Sequence, residues 1–337
     1  RQTEPAEPTV SFTDSLGRTV DIPETLTRVA PSGAVASMFL ATIAPEYMTT
    51  INATPSSSQY KYLDPRLIDL PTTGQMYGSK ANLTLETLLA ADPQVVIDLG
   101  DKKDNMAADL DALQRQIGMP VIFIEADLPH MAEAYRTLGK VLSGKEARGE
   151  ELAAFVEETV SMAKENALKI QDAERISVLY TSGSSGLNTN AKGSIQAQVL
   201  DLMGIENAAV VEDVSNKGGG NPINLEQLYR FDPDVILFTA GSTYSTAADD
   251  EAWQPLRVIE AGRYYEIPSM PYNWLSNPPS LNMLLGVWWL GNLLYPQYYA
   301  YDMVEKTQEI FKLLWSYDLS ADEARAMLAN STLKGTP

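Results

Sequence analysis

Cysteine is absent from the 337-residue chain, and histidine occurs once, at His130. Without cysteine there is no disulfide, thiolate nucleophile, Cys-ligated zinc or iron–sulfur cluster. A single histidine removes most His-based triads and metal sites as well. His130 follows Pro129 at the start of a helical pattern, where a surface position explains it better than a ligand role. Positive charge is also scarce: 25 Lys and Arg stand against 44 Asp and Glu, a net charge of -19. That balance argues against nucleic acid as a partner and against adsorption to anionic lipid. The longest apolar run, LLGVWWLGNLLY from Leu284 to Tyr295, falls short of the roughly 20 residues that cross a bilayer and reads as a buried helix.

What is present is the composition of a soluble globular protein, 45% hydrophobic and 20% charged. The length predicts two domains of about 150 residues each. The Pro- and Glu-rich opening RQTEPAEPTV reads as a flexible stub over residues 1–10. VSFTDSLGRTVDIP then alternates apolar and polar residues around Asp14-Ser15-Leu16-Gly17, a β-hairpin pattern. A strand around Arg28 to Ala30, the loop Pro31-Ser32-Gly33 and a helix from Ala34 to Ile43 follow. Strand Val95 to Leu99, helix Met106 to Ile117, strand Val121 to Ile124 and helix His130 to Leu142 continue the alternation, which predicts a parallel sheet covered on both faces. From about Lys145 to Ile170 apolar residues keep helical spacing for about 20 residues, or about 30 Å. Beyond it the pattern restarts: strand Ile176 to Tyr180, loop TSGSSGLNTN, helix Ile195 to Met203, helix Leu225 to Phe231, strand Val235 to Thr239. The predicted fold is α/β: two Rossmann-like lobes with central sheets, residues 11–142 and 173–337, bridged by a single long α-helix over 143–172.

One phrase is written twice. LETLLAADPQVVI begins at Leu85 and LEQLYRFDPDVILF at Leu225. In each, Asp-Pro stops a helix, because proline disfavours the α conformation in the residue before it, and the apolar run that follows is the next strand. Leu85 and Leu88, like Leu225 and Leu228, are spaced to face the sheet. Glu86 and Glu226 fall in the first helical turn, where the helix dipole alone favours a carboxylate. Two such acids at matching places also suit a partner that touches both lobes.

Together with the hairpin FTDSLGRTVDIP, the loop APSGA and the long central helix, the duplicated phrase resembles the substrate-binding proteins of ABC importers for iron–siderophore complexes, heme and vitamin B12. The likeness runs from about Val10 to Leu319. It implies two lobes bridged by one helix, a small-molecule ligand in the cleft between them, and docking of Glu86 and Glu226 against arginines on the two subunits of a permease dimer. It further implies a monomer outside the cytoplasm, periplasmic or lipid-anchored. Many relatives carry a Thr-Glu pair where this chain has Ala34-Val35, so no role of that acid is carried over.

In open α/β sheets ligands bind beyond the carboxyl ends of the strands. The loops there are rich in glycine, hydroxyl and amide groups, with several Tyr and Lys: SSSQYKY, QMYGSK, GSSGLNTN, SNKGGGNP and SMPYNWLSNPPS. Such groups hydrogen-bond an anion or an oxygen-rich ligand, although loops favour these residues in any case. The candidate cleft residues are Ser32, Gly33, Tyr60, Lys61, Tyr77, Lys80, Lys102, Ser184, Ser185, Asn188, Lys217, Asn221, Tyr244, Tyr272 and Trp274. Core packing is the competing reading of Trp274. An iron–siderophore or similar metal chelate is the expected cargo. Molybdate or tungstate is the alternative that the hydroxyl and amide loops also suit, and heme or cobalamin would lean on Tyr272 and Trp274. No cofactor and no resident metal are expected. A hydrolase reading lacks support: Gly183 to Gly186 is one residue short of a nucleophile elbow, and no second histidine exists for a triad.

Overall fold

The structure, a computed structural model, describes residues 7–333. The chain divides into two compact units, one of residues up to Glu157 with Leu314–Ser316, the other of Glu158–Leu313 with the residues from Tyr317 onward.

In the first unit β1 (Thr9–Thr13) and β2 (Thr19–Pro23) form the expected antiparallel hairpin. Thr9 and Val10 are therefore strand rather than stub, and Arg1 to Ala6 lie outside the described residues. The hairpin turn is organised by Asp14, whose buried carboxylate accepts from the backbone N–H groups of Leu16, Arg18 and Phe123 and pairs with the Arg18 guanidinium at 2.8 Å. Strands β3 (Val29–Pro31), β4 (Val95–Gly100) and β5 (Val121–Glu125) make a parallel sheet in that order. Val95, Val96 and Ile97 are completely buried, as a strand covered on both faces requires. Helices α1 (Ala34–Ile43), α2 (Ser57–Tyr60), α3 (Leu85–Ala90), α4 (Met106–Ile117) and α5 (Met131–Val141) fill the connections. α4 turns Met106, Leu110, Leu113 and Ile117 onto the core, one stripe at helical spacing.

Helix α6 (Glu146–Lys169) has 24 residues, roughly 36 Å at 1.5 Å per residue, and contains the division between the units. Its first turns pack on α5 through two glycines. A Cβ at Gly149 would stand 2.6 Å from the Tyr135 carbonyl oxygen and 2.8 Å from the Gly139 Cα. Arg136 on α5 pairs with Glu150 at 2.8 Å and with Glu157 at 2.6 Å on α6.

The second unit holds β6 (Ser177–Ser182), β7 (Asn188–Thr189), β8 (Glu206–Asn207), β9 (Asn221–Pro222), β10 (Val235–Phe238) and β11 (Tyr264–Glu266). Strands β8, β6, β10 and β11 are parallel, while β7 pairs antiparallel with both β6 and β9. The expected loop TSGSSGLNTN is thus in part a tight hairpin, because β6 continues to Ser182 and the chain returns through Asn188–Thr189. Helices α7 (Gln198–Leu202), α8 (Leu225–Phe231), α9 (Arg257–Glu260), α10 (Asn282–Leu294), α11 (Met303–Trp315, whose last two residues belong to the first unit) and α12 (Ala321–Leu328) follow. The expected helix from Ile195 opens as a 3-10 turn, Ile195–Ala197, before α7. α10 is buried over almost its whole length, and no helix of the described residues is long and apolar enough to cross a membrane.

The two copies of the duplicated phrase build the same local structure. Asp92 and Asp232 both end their helices with positive φ, 48° and 35°, a conformation that aspartate tolerates. Each lies near an arginine, Arg28 at 3.6 Å and Arg257 at 3.5 Å. Leu88 and Leu228 are fully buried as expected. Leu225 is not: it is 41% exposed, because the first helical residue of α8 projects away from the core that Leu228 reaches.

Candidate functional site

In the second unit the carboxyl ends of β6 and β10 open onto a cavity of about 350 Å³. Ser182 and Gly183 come from the β6–β7 turn, Asn188 from β7, Gly218 and Gly219 from the glycine run, and Thr239 from the end of β10; Asn273 and Asn277 come from the segment before α10. Among the described residues, no charged and no aromatic side chain lines it. Its donors and acceptors are neutral hydroxyl, amide and backbone groups, which accommodate a ligand rich in oxygen atoms without a buried counter-charge.

The segment before α10 is held in place by its own hydrogen bonds. The Asn273 carboxamide oxygen accepts from the backbone N–H groups of Leu275, at 2.9 Å, and Ser276, at 3.1 Å. Asn282 on α10 donates to the carbonyls of Asn273 and Ser276. Gly286 allows the close approach, since a Cβ there would lie 2.2 Å from the Trp274 carbonyl oxygen. Burial raises the pKa of the fully buried Tyr180 on β6.

In the first unit the corresponding strand ends carry a buried carboxylate. Asp98 on β4 is 4% exposed; it accepts from Ser32 Oγ, at the end of β3, and from the Tyr77 hydroxyl at 2.6 Å. Burial pushes the Asp98 carboxyl up, against those two hydrogen bonds and the charge of Lys103. Burial and the neighbouring Asp98 charge raise Tyr77 in turn. Sequence reasoning selected Ser32 and Tyr77 but missed Asp98, whose place inside an aliphatic run, VVIDLG, was the available signal.

The remaining candidates divide by placement. Asn188 lines the cavity, and Lys217 is exposed beside its Gly218–Gly219 wall. Ser184 and Ser185 are exposed in the β6–β7 turn outside the lining. Asn221 is committed to its own loop, donating to the Asp213 carbonyl and accepting from the Ser215 N–H. Tyr244 packs against Tyr264 at 5.5 Å on the unit's core. Trp274 is fully buried, its indole donating to the Met270 carbonyl at 2.8 Å, so it is a core residue and presents no stacking face. Tyr272 is half-buried, with burial pushing its hydroxyl up to about 12. Gly33 is buried under the Gln75 side chain; Tyr60 is half-buried at the end of α2, and Lys61 and Lys80 are exposed. Lys102 donates to the Ser15 carbonyl at 3.0 Å and so braces the hairpin. Glu86 and Glu226 are exposed in the first turns of α3 and α8.

Glu125, Asp127 and His130 bring possible metal-ligand atoms within 4.8 Å of one another. His130 Nδ1 is already engaged with Asp127 at 2.5 Å, and that contact raises the histidine's pKa, against desolvation. Asp101 is raised by burial and then by the charges of Asp127 and Glu125.

The chain thus presents two α/β units, with a cavity of neutral polar groups at the strand ends of the second. Residues 29–271 match the periplasmic binding protein family, and the chain belongs to that family of ABC-transporter substrate-binding proteins, which are not enzymes. It is similar in structure to an ABC transporter solute binding protein from Sulfurospirillum deleyianum, with a TM-score of 0.85 and 26% identity, covering 95% of this chain and 99% of that one. The molybdate-bound periplasmic protein MolA of Haemophilus influenzae shares the fold at a TM-score of 0.73 and 17% identity, covering 92% of this chain and 99% of that one. In sequence the chain is 23% identical over 193 residues to the Fe(3+)-citrate-binding protein YfmC of Bacillus subtilis, 56% of this chain and 58% of that protein. That match spans less than two thirds of the relative's length.

Proposed function

We propose that this extracytoplasmic protein captures an oxygen-rich ferric chelate, an iron–siderophore or ferric carboxylate, and delivers it to an ABC permease dimer. The observation that carries the cargo assignment is the cavity of the second unit, walled by Ser182, Asn188, Thr239, Asn273 and Asn277 and, among the described residues, free of charged and aromatic side chains. Hydroxyl and carboxamide groups match the peripheral oxygen atoms of such a chelate. The sequence likeness to an Fe(3+)-citrate-binding protein supports the same class. A flat macrocycle is disfavoured because Trp274 is core and, among the described residues, neither it nor Tyr272 lines the cavity. The same neutral lining also suits a bare oxyanion, and the fold likeness to a molybdate-bound protein keeps that second reading in play. Glu86 and Glu226, exposed at matching places on α3 and α8, are the docking points for the permease. The protein acts as a monomer.

Calorimetric titration with ferric citrate, ferric catecholate and hydroxamate chelates, and molybdate separates the readings. Tight binding of one ferric chelate with no response to molybdate is expected. Tight binding of molybdate alone would transfer the assignment to the oxyanion.

A further inference from the structure

The exposed apolar side chains of the described residues are few, and three of the eight lie on the two short helices of the duplicated phrase. Leu89 on α3 is 50% exposed; Leu225 and Tyr229 on α8 are 41% and 43% exposed. Leu89 and Tyr229 each stand three residues after their glutamate, which places the apolar group beside the carboxylate on one helix face. Tyr229 is held there by donation from its hydroxyl to the Ala252 carbonyl at 3.0 Å. Each helix thus offers an acid next to an apolar shoulder, which fits a protein surface carrying a cation beside an apolar patch.

The helices differ one residue further on. Position 90 is Ala90, and no ion pair reaches Glu86 among the described residues. Position 230 is Arg230, which donates to Glu226 at 2.7 Å across one helical turn. Both partners of that pair are mostly exposed, at 69% and 80%, so the pair is weak and reversible. A cation approaching Glu226 nevertheless meets the Arg230 charge and must share or displace it, whereas Glu86 is open.

We propose that the two docking helices are unequal. α3, with Glu86 and Leu89, is the electrostatic anchor for a cationic, apolar-flanked permease surface. On α8, Arg230 acts as an internal counter-ion that weakens docking through Glu226 and leaves Tyr229 and Leu225 a larger share of the contact. The proposal rests on the docking role of the two glutamates.

The test is binding of wild-type and variant protein to its permease purified in nanodiscs, read at low and high salt. Arg230→Ala is expected to tighten binding about twofold, the scale of an exposed pair of this spacing. Arg230→Gln, which keeps the side chain's length without its charge, is expected to do the same. The gain is expected to vanish when Glu226→Ala is combined with either. Glu86→Ala is expected to weaken binding more than Glu226→Ala and to remove more of the salt dependence. Unchanged or weaker binding of both Arg230 variants would overturn the inequality while leaving docking intact. Unaltered binding of Glu86→Ala and Glu226→Ala together would overturn the docking role itself.

Discussion

Asp98 is tightly constrained by its surroundings. It is an acid inside a parallel strand, almost without exposure, and it is held by two hydroxyls, Ser32 and Tyr77. Because burial raises its folded pKa above the ordinary aspartate value, the native state binds this proton more tightly than the unfolded chain does. Its contribution to stability is therefore fully present below the ordinary aspartate pKa. It is lost as pH rises through the folded value. Asp98→Asn removes the titration while keeping an acceptor and a donor for the two hydroxyls. Urea denaturation at a series of pH values is expected to show the variant gaining on wild type across that window, then a constant difference above it. A difference that is flat throughout would mean that Asp98 does not titrate differently in the folded state. Sequence reasoning chose Ser32 and Tyr77 as loop residues open to ligand, whereas both hydroxyls are turned inward to Asp98. Residue type announced polar chemistry at this place, but the direction of a side chain depends on a strand distant in sequence.

At the scale of elements, local patterning was the reliable guide. Helix α4 runs from Met106 to Ile117 and α8 from Leu225 to Phe231, the bounds that periodicity and Asp-Pro punctuation predict. Helix α6 shows where patterning falls short. Its buried stripe passes through Leu152, Val156, Thr159, Ala163 and Asn166 and continues to Ile170 just past its end, a 4-3-4-3-4 spacing on one face. Apolar spacing alone picks out Leu152, Phe155, Val156, Val160, Met162 and Ala163; of these Val160 and Met162 are only half-buried, and the buried Thr159 and Asn166 are passed over. Thr159 and Asn166 hold their places through Trp288 Nε1 at 2.9 Å and the Tyr298 carbonyl at 3.0 Å, partners 129 and 132 residues away. No local signal reveals such partners. The two-residue strands β7 and β9 were hidden for the same reason, since pairing with β6 and with each other defines them rather than propensity.

Gly149 provides a test at this scale in which two effects have opposite signs. Helix propensity alone makes Gly149→Ala stabilising by up to about 1 kcal/mol. The close approach to the Tyr135 carbonyl, 2.6 Å from the added Cβ, makes it destabilising by about 1–3 kcal/mol, because backbone cannot yield as a side chain end does. Net destabilisation in chemical denaturation is the expected outcome. A more stable variant would mean that α5 and α6 are not packed this closely.

For the whole molecule, the class of protein was legible because the order of its motifs is distinctive: hairpin, small-residue loop, long helix and a phrase used once in each unit. The cavity was legible only as a set of loops. Three of the loops named from the sequence, GSSGLNTN, SNKGGGNP and SMPYNWLSNPPS, contribute lining residues in the second unit. Of the individual second-unit candidates, only Asn188 lines the cavity. Loop composition identifies where polar groups collect, while the choice among them is made by turns such as the one Asn273 caps and by the close contact of Gly286 with the Trp274 carbonyl.

The central claim is that neutral groups of this cavity hold the oxygen atoms of a ferric chelate. Asn188 tests it most directly, since it lines the cavity from a strand whose pairing uses backbone groups. The measurement is the affinity of wild type and Asn188→Ala for the same ferric chelate by calorimetry, with far-UV circular dichroism as the control on folding. A loss of up to about tenfold in affinity with unchanged folding is predicted, the scale of one neutral hydrogen bond. Equal affinity in the two proteins would contradict the account.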